Sequence, residues 1–136
     1  MLVVDASAVV ELLLARPAAA AVERIATEHG FELHAPQLID IEVVSALRRL
    51  VAGGSATAVR AGEAVDDLLD LPLERYAHQL LVPRVWELRD NFSAYDAAYL
   101  ALAEAVSESG APLLTADARF ARGVEALGGV HVHLAG

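Results

Sequence analysis

The chain of 136 residues contains no cysteine and no lysine, so arginine supplies all ten of its basic side chains. Without cysteine, it cannot form disulfides, use thiolate catalysis or bind zinc through sulfur. Without lysine, it lacks the residue that phosphate-binding loops and Schiff-base enzymes require. No apolar run approaches the roughly 20 residues that span a bilayer. Residues 1–5 have no basic segment typical of a signal peptide, so a cytoplasmic protein is expected.

Positive charge is scarce overall, since 19 acidic residues against 10 basic ones give a formal net charge of −9. Nucleic-acid binding usually depends on a basic surface that displaces counterions. Two bound divalent cations would still leave this chain negative. A polyanion would therefore have to be held by a local group of arginines, by the metal, or by both.

Apolar strand-like segments alternate with helix-like segments along the chain. The predicted strands cover about residues 1–5, 32–35, 73–77, 112–115 and 130–134. The predicted helices cover about residues 7–15, 18–29, 37–52, 56–70, 78–90, 94–108 and 118–127. This alternation predicts an α/β fold, with a central parallel sheet flanked by helices on both faces. No linker or internal repeat interrupts it, which favours a single domain over residues 1–136.

Four acidic residues stand where such a fold would bring them to one crevice. Asp5 ends the first strand and Asp117 follows the fourth, whereas Glu42 and Asp96 lie in the first turns of helices. The carboxyl ends of parallel strands and the starts of the following helices share one rim, where ligands bind. Two unit charges about 4 Å apart repel by roughly 4 kcal/mol at an effective dielectric constant near 20. Such a cluster favours a hard divalent metal ion.

Each of these acids also has an ordinary structural explanation. Asp5 could begin a turn, with the following helix capped by Ser7, and Asp117 could cap its own helix. Asp96 could be the acidic member of a capping box, and Glu42 could interact with the positive end of its helix. Taken together these explanations weaken, because three acids lie at strand-to-helix junctions or first turns. Glu42 also belongs to a mostly apolar helix face, where an unpaired glutamate is costly.

Four short segments, one around each acid, carry a resemblance to a known family. They cover residues 2–8, 35–49, 93–103 and 113–120. In sequence, order and spacing they resemble the PIN-domain ribonucleases, in particular the VapC-type toxins of toxin–antitoxin pairs. One departure is Ser45, since the family commonly has asparagine three residues after the glutamate.

The resemblance implies a metal-dependent endoribonuclease, the toxin of a type II toxin–antitoxin system, that cleaves RNA phosphodiester bonds with a metal-activated water. Asp5 and Asp96 would be the principal Mg²⁺ or Mn²⁺ ligands, with Glu42 and Asp117 completing the catalytic pocket. The implied partners are RNA, a cognate antitoxin and a second copy in a homodimer. The alternative is a catalytically degenerate PIN-like binding module that only engages a protein partner.

Two hydroxyl residues and the missing lysine refine this interpretation. Ser7 and Thr115 are candidates to hydrogen-bond the metal ligands, although local capping and turn bonds explain them equally well.

Receiver-type phosphoacceptors and aspartate-nucleophile phosphatases also place acids at strand ends. Both rely on a lysine beside the phosphoryl group, which this chain does not have.

Several other polar residues could have either a functional role or a place on the solvated surface. Arg49 lies two turns after Glu42 on the same helix face, and Arg119 and Arg122 closely follow Asp117. Each of these arginines is predicted either to contact an RNA phosphate or to lie on the solvated surface. His131 and His133 are expected to be a surface pair on an edge strand.

Overall fold

The computed structural model describes residues 1–136 and contains five strands and seven helices. In chain order these are β1 (Leu2–Val4), α1 (Ala6–Leu13), α2 (Ala19–Glu28), β2 (Leu33–Pro36), α3 (Ile39–Ala52), α4 (Ala58–Asp70), β3 (Leu73–Tyr76), α5 (Val82–Glu87), α6 (Ala94–Ala105), β4 (Leu113–Thr115), α7 (Ala118–Leu127) and β5 (Val132–Leu134). The predicted alternation of strands and helices is confirmed. The helix expected over about 78–90 is shorter, because turns occupy both of its ends.

The five strands form one parallel sheet in the order β3-β2-β1-β4-β5. The predicted parallel sheet is confirmed. The sheet has its switch point at β1. The chain first adds β2 and β3 on one side of β1, and later adds β4 and β5 on the other side. Ligand crevices of open α/β sheets form at such a switch point, outside the carboxyl ends of the strands. Val4 pairs with Leu114, so the residues that follow β1 and β4 emerge side by side.

The helices cover both faces of the sheet. Helix α1 packs against α2, α3 and α4, whereas α5 packs against α6 and α7 against β4 and β5. With this strand order, the rule that such crossovers are right-handed assigns the helices before β3 to one face and those after it to the other. None of the seven helices combines the length and apolar character that crossing a membrane requires.

Helix α6 is the most deeply buried helix, with every residue from 97 to 103 in the core. Four of these seven residues are alanine, whose small side chains let the helix backbone approach its neighbours closely. The helix contacts β1, β2 and β4. The start of α6, which carries Asp96, is therefore held in place by the core beneath it.

Candidate active site

A cleft at the carboxyl edge of the sheet brings together all four acids singled out in the sequence. Its volume is about 350 Å³. Its polar lining consists of Asp5, Ser7, Glu11, Arg16, Glu42, Arg49, Asp96, Tyr99 and Asp117. The apolar remainder comes from α1 and α3. The chain thus gathers carboxylates from four separate segments at one place.

Asp5 connects β1 to α1 and is only 5% exposed. Its Oδ1 accepts hydrogen bonds from the Ser7 hydroxyl at 2.7 Å and the Ala8 backbone N–H at 3.0 Å, and its Oδ2 accepts one from the Thr115 hydroxyl. The Ala8 bond makes Asp5 the N-cap of α1. The cap is therefore Asp5 and not Ser7, because the Ser7 hydroxyl is engaged elsewhere.

The two hydroxyls beside Asp5 are oriented by the backbone that follows β4. The Ser7 oxygen accepts the Ala116 N–H at 2.9 Å, and the Thr115 oxygen accepts the Asp117 N–H at 3.0 Å. Each oxygen uses a lone pair for the backbone, which leaves its own proton for Asp5. The network joins β1 to β4 and holds both oxygens of Asp5 in one orientation.

Burial raises the pKa of Asp5 to about 6, against the opposing effects of hydrogen bonds from Thr115, Ala8 and Ser7. The negative charge of Asp96 raises it further. The ionised form of Asp5 is therefore costly in the protein alone. A cation in the cleft would offset that cost.

Asp96 lies in the first turn of α6, and its backbone N–H donates to the Ser93 hydroxyl at 3.1 Å. The serine cap proposed from the sequence is present. The return bond from the Ser93 N–H to the Asp96 carboxylate, which would complete a capping box, does not form. Burial, Asp117 and Glu42 raise the pKa of Asp96 above its ordinary value, while Arg119 opposes the shift. The carboxylate of Asp96 is thus crowded by like charge and turned to the cleft.

Glu42 is held by a tyrosine that the sequence analysis did not assign to the site. The Tyr99 hydroxyl donates to Glu42 Oε1 at 2.6 Å. Burial and the Glu42 carboxylate raise the pKa of Tyr99, so the phenol keeps its proton and remains a donor. The signal in the sequence was the position of Tyr99, three residues after Asp96 on the same helix face.

Replacing Tyr99 with phenylalanine should lower the free energy of unfolding by about 1–3 kcal/mol, because Glu42 loses a donor that is buried. The ring keeps its volume, so packing around α6 is preserved. Urea unfolding measures the change. Tyr95→Phe is the matched control, since it removes an exposed hydroxyl that has no partner in the protein and should leave stability unchanged. Equal effects of the two substitutions would show that the bond to Glu42 contributes nothing.

Asp117 caps α7 through Oδ1, which accepts the backbone N–H groups of Arg119 at 2.9 Å and Phe120 at 3.2 Å. The capping explanation of this residue is therefore correct. Asp117 can cap the helix and still line the cleft. Its Oδ2 takes no part in the cap, and its negative charge raises the pKa of Asp96 across the cleft.

Two further charged residues line the cleft without having been predicted. Glu11 and Arg16 form an ion pair, with 3.2 Å between Oε2 and Nε. Glu11 lies four residues after Ser7 on α1, which was the available signal. Arg49 also lines the cleft, whereas His133 lies against His29, with ring centroids 5.4 Å apart, outside it.

The donor atoms of the cleft fit a hard divalent cation. They are carboxylate oxygens, which Mg²⁺ and Mn²⁺ prefer. No three acidic or histidine side chains of the chain lie close enough together to enclose a metal ion by themselves. In proteins, Mg²⁺ usually binds through one or two carboxylates and completes its shell with water and substrate phosphate.

Comparison with known proteins gives consistent matches over most of the chain. The family model that matches residues 2–125 is described as PIN domain. Ribonuclease VapC12 of Mycobacterium tuberculosis is 39% identical over 122 residues, which cover 90% of this chain and 91% of that protein. Ribonuclease VapC9 of the same bacterium is 43% identical over 119 residues, which cover 88% and 87%.

A solved structure shares the fold. The crystal structure of PAE2754 from Pyrobaculum aerophilum matches with a TM-score of 0.69 at 22% identity, covering 96% of this chain and 82% of that one. At that identity the likeness concerns the fold alone.

Proposed function

The chain belongs to the PIN-domain family, with VapC-type proteins as its relatives, and on that premise we propose that it is a metal-dependent endoribonuclease and the toxin of a type II toxin–antitoxin system. The observation that carries the proposal is the single cleft that Asp5, Glu42, Asp96 and Asp117 line together. The names of its relatives, which describe ribonucleases, support RNA as the substrate.

Asp5 and Asp96 would hold Mg²⁺ or Mn²⁺, with Glu42 and Asp117 completing the acidic pocket. The bound ion would supply a water of lowered pKa and offset the charge that develops on the phosphate. The chain's own contribution is to fix the carboxylates. Ser7 and Thr115 are the hydroxyls that orient Asp5 in this proposal.

The Glu42 carboxylate is positioned in the same way. Tyr99 occupies its Oε1, which leaves Oε2 for the cleft. Arg49 contributes positive charge to the lining of the cleft. Because the chain carries a net charge of −9, this arginine gives the RNA backbone a positively charged group to bind.

We further propose that residues 1–136 act as one nuclease domain, that two copies form a homodimer, and that a cognate antitoxin neutralises the enzyme. The net charge of −9 favours a partner that bears basic residues. An arginine of the antitoxin could neutralise the carboxylates by occupying the place of the cation. Inhibition of this kind would compete with the metal.

Removal of divalent metal tests the proposed function. Purified protein should cleave single-stranded or structured RNA with Mg²⁺ or Mn²⁺, and EDTA should abolish the reaction, because the carboxylates lose the cation that makes their cluster productive. Gel analysis of cleavage products measures the effect. Adding excess Mn²⁺ back should restore activity, which controls for loss of protein.

Two other outcomes would contradict the proposal in different ways. Cleavage that continues undiminished in EDTA would contradict the metal requirement. Metal binding without cleavage of any RNA would support the alternative, a PIN-like module that only engages a protein partner.

A further inference from the structure

A second recess opens beside the cleft on its Glu42 side. It has a volume of about 400 Å³ and is lined by Ile41, Glu42, Ser45, Arg49 and Tyr95. Glu42 and Arg49 line the cleft as well, so the two spaces adjoin each other along these residues. A single-stranded RNA with one phosphate at the acidic cluster could therefore pass through this recess.

The recess presents apolar surface that the fold does not need. Tyr95 is 62% exposed and Ile41 is 73% exposed, so neither side chain belongs to the core. Tyr95 directly precedes Asp96 in the first turn of α6, and the buried part of that helix holds this turn in place. An exposed aromatic ring on a rigid element beside the cleft is a surface on which a nucleic-acid base can stack.

The recess also contains an arginine without a carboxylate partner. Five of the ten arginines, residues 16, 24, 60, 75 and 84, form ion pairs with carboxylates. Arg49 is one of the five that form none, and its Nη1 donates to Ser45 Oγ at 3.0 Å. That bond directs the guanidinium along α3 and leaves its remaining N–H groups available for a phosphate.

We propose that this recess is a nucleotide subsite for the RNA residue next to the bond that is cleaved. The base of that residue stacks on Tyr95 beside Ile41, and its phosphate contacts Arg49. The inference rests on the proposed function, which places the cleaved bond at the acidic cluster. Stacking tolerates every base, because each has a π-face, so the subsite binds single-stranded RNA without reading its sequence.

Binding of two fluorescent probes tests the subsite in an Asp96→Asn background, which keeps the RNA intact. One probe is a single-stranded oligoadenylate, and the other is the ribose–phosphate oligomer of the same length without bases. Tyr95→Ala should weaken binding of the oligoadenylate by about tenfold, a typical effect of losing one base–aromatic stack. It should leave binding of the base-free oligomer unchanged, because that oligomer has nothing to stack. Arg49→Ala should weaken both.

Matched variants separate stacking from other effects. Tyr95→Phe keeps the ring and should recover most of the lost affinity. Trp86→Ala removes another exposed aromatic side chain, 66% exposed and in contact with Arg89 outside the cleft and the recess, and should leave binding of both probes unchanged. In the active protein, Tyr95→Ala should raise the KM for RNA far more than it lowers kcat.

The subsite would be wrong if Tyr95→Ala weakened the binding of both probes equally, or weakened neither. Unchanged RNA binding together with a weaker antitoxin complex or a lost dimer would assign the recess to a protein partner instead. Failure of the unaltered protein to cleave any RNA would contradict the proposed function separately, since the two binding measurements do not require cleavage.

Discussion

Asp96→Asn is expected to lower the rate of RNA cleavage by roughly 100- to 1000-fold, because in the proposed function it removes a carboxylate that binds the metal, and with it several kcal/mol of transition-state stabilisation. The substitution should not unfold the protein. Ser93 caps α6 through the backbone N–H of residue 96, which asparagine retains. The new side chain has nearly the same size and relieves repulsion from Glu42 and Asp117. Initial rates at saturating Mn²⁺ measure the effect.

Asp66→Asn is the matched control for this loss. It makes the same chemical change at an exposed position of α4 outside the cleft, and its cleavage rate should equal that of the unaltered protein. Full activity in Asp96→Asn would reduce that residue to a member of the first turn of α6. The proposed role of Asp96 in metal binding would then be wrong.

In the absence of metal, Asp5 should make the protein less stable as the pH rises from about 4 to about 7. Its folded pKa of about 6 lies above the ordinary value of 3.8, because the side chain is buried. The stabilising contribution of the protonated form is complete below the unfolded pKa and is lost as the pH rises through the folded pKa. At roughly 1.4 kcal/mol per pKa unit, the loss is about 3 kcal/mol. The raised pKa of Asp96 acts in the same direction.

Asp5→Asn isolates this contribution, since asparagine does not titrate. The difference in the free energy of unfolding between the two proteins, measured by urea denaturation in EDTA, should shift in favour of the variant as the pH rises. Mn²⁺ added at pH 7 should stabilise the unaltered protein more than the variant, because only the former retains both proposed metal ligands. Parallel pH profiles would show that Asp5 ionises at no cost.

Local sequence chemistry was sufficient to predict the order of the elements. Apolar runs at the start of the chain and before Asp117 became β1 and β4, and the Ser93 cap marks the start of α6. These signals depend on neighbouring residues, so they can be read without knowing the fold. The boundaries of α5 could not be predicted in this way, because its flanking residues form turns in the folded chain.

The convergence of the carboxylates on one rim was predicted from topology and general rules of parallel sheets. Asp5 and Asp117 follow strands that the sequence identifies, and adjacent parallel strands deliver such residues to the same edge. The structure places both beside Asp96 and Glu42 in one cleft. Their catalytic and metal-binding roles remain a prediction that the substitutions above address.

The sequence by itself determined which residues form strands and helices, which acids end at the sheet edge, and how little positive charge is available to hold a polyanion. Only the tertiary structure decided which partner each polar group has. Tyr99 and Glu42 are 57 residues apart, and Ser7 and Ala116 are 109 apart, so no local pattern announces either bond. The burial that raises the pKa of Asp5 likewise depends on segments distant in the chain, because packing brings them together only after folding.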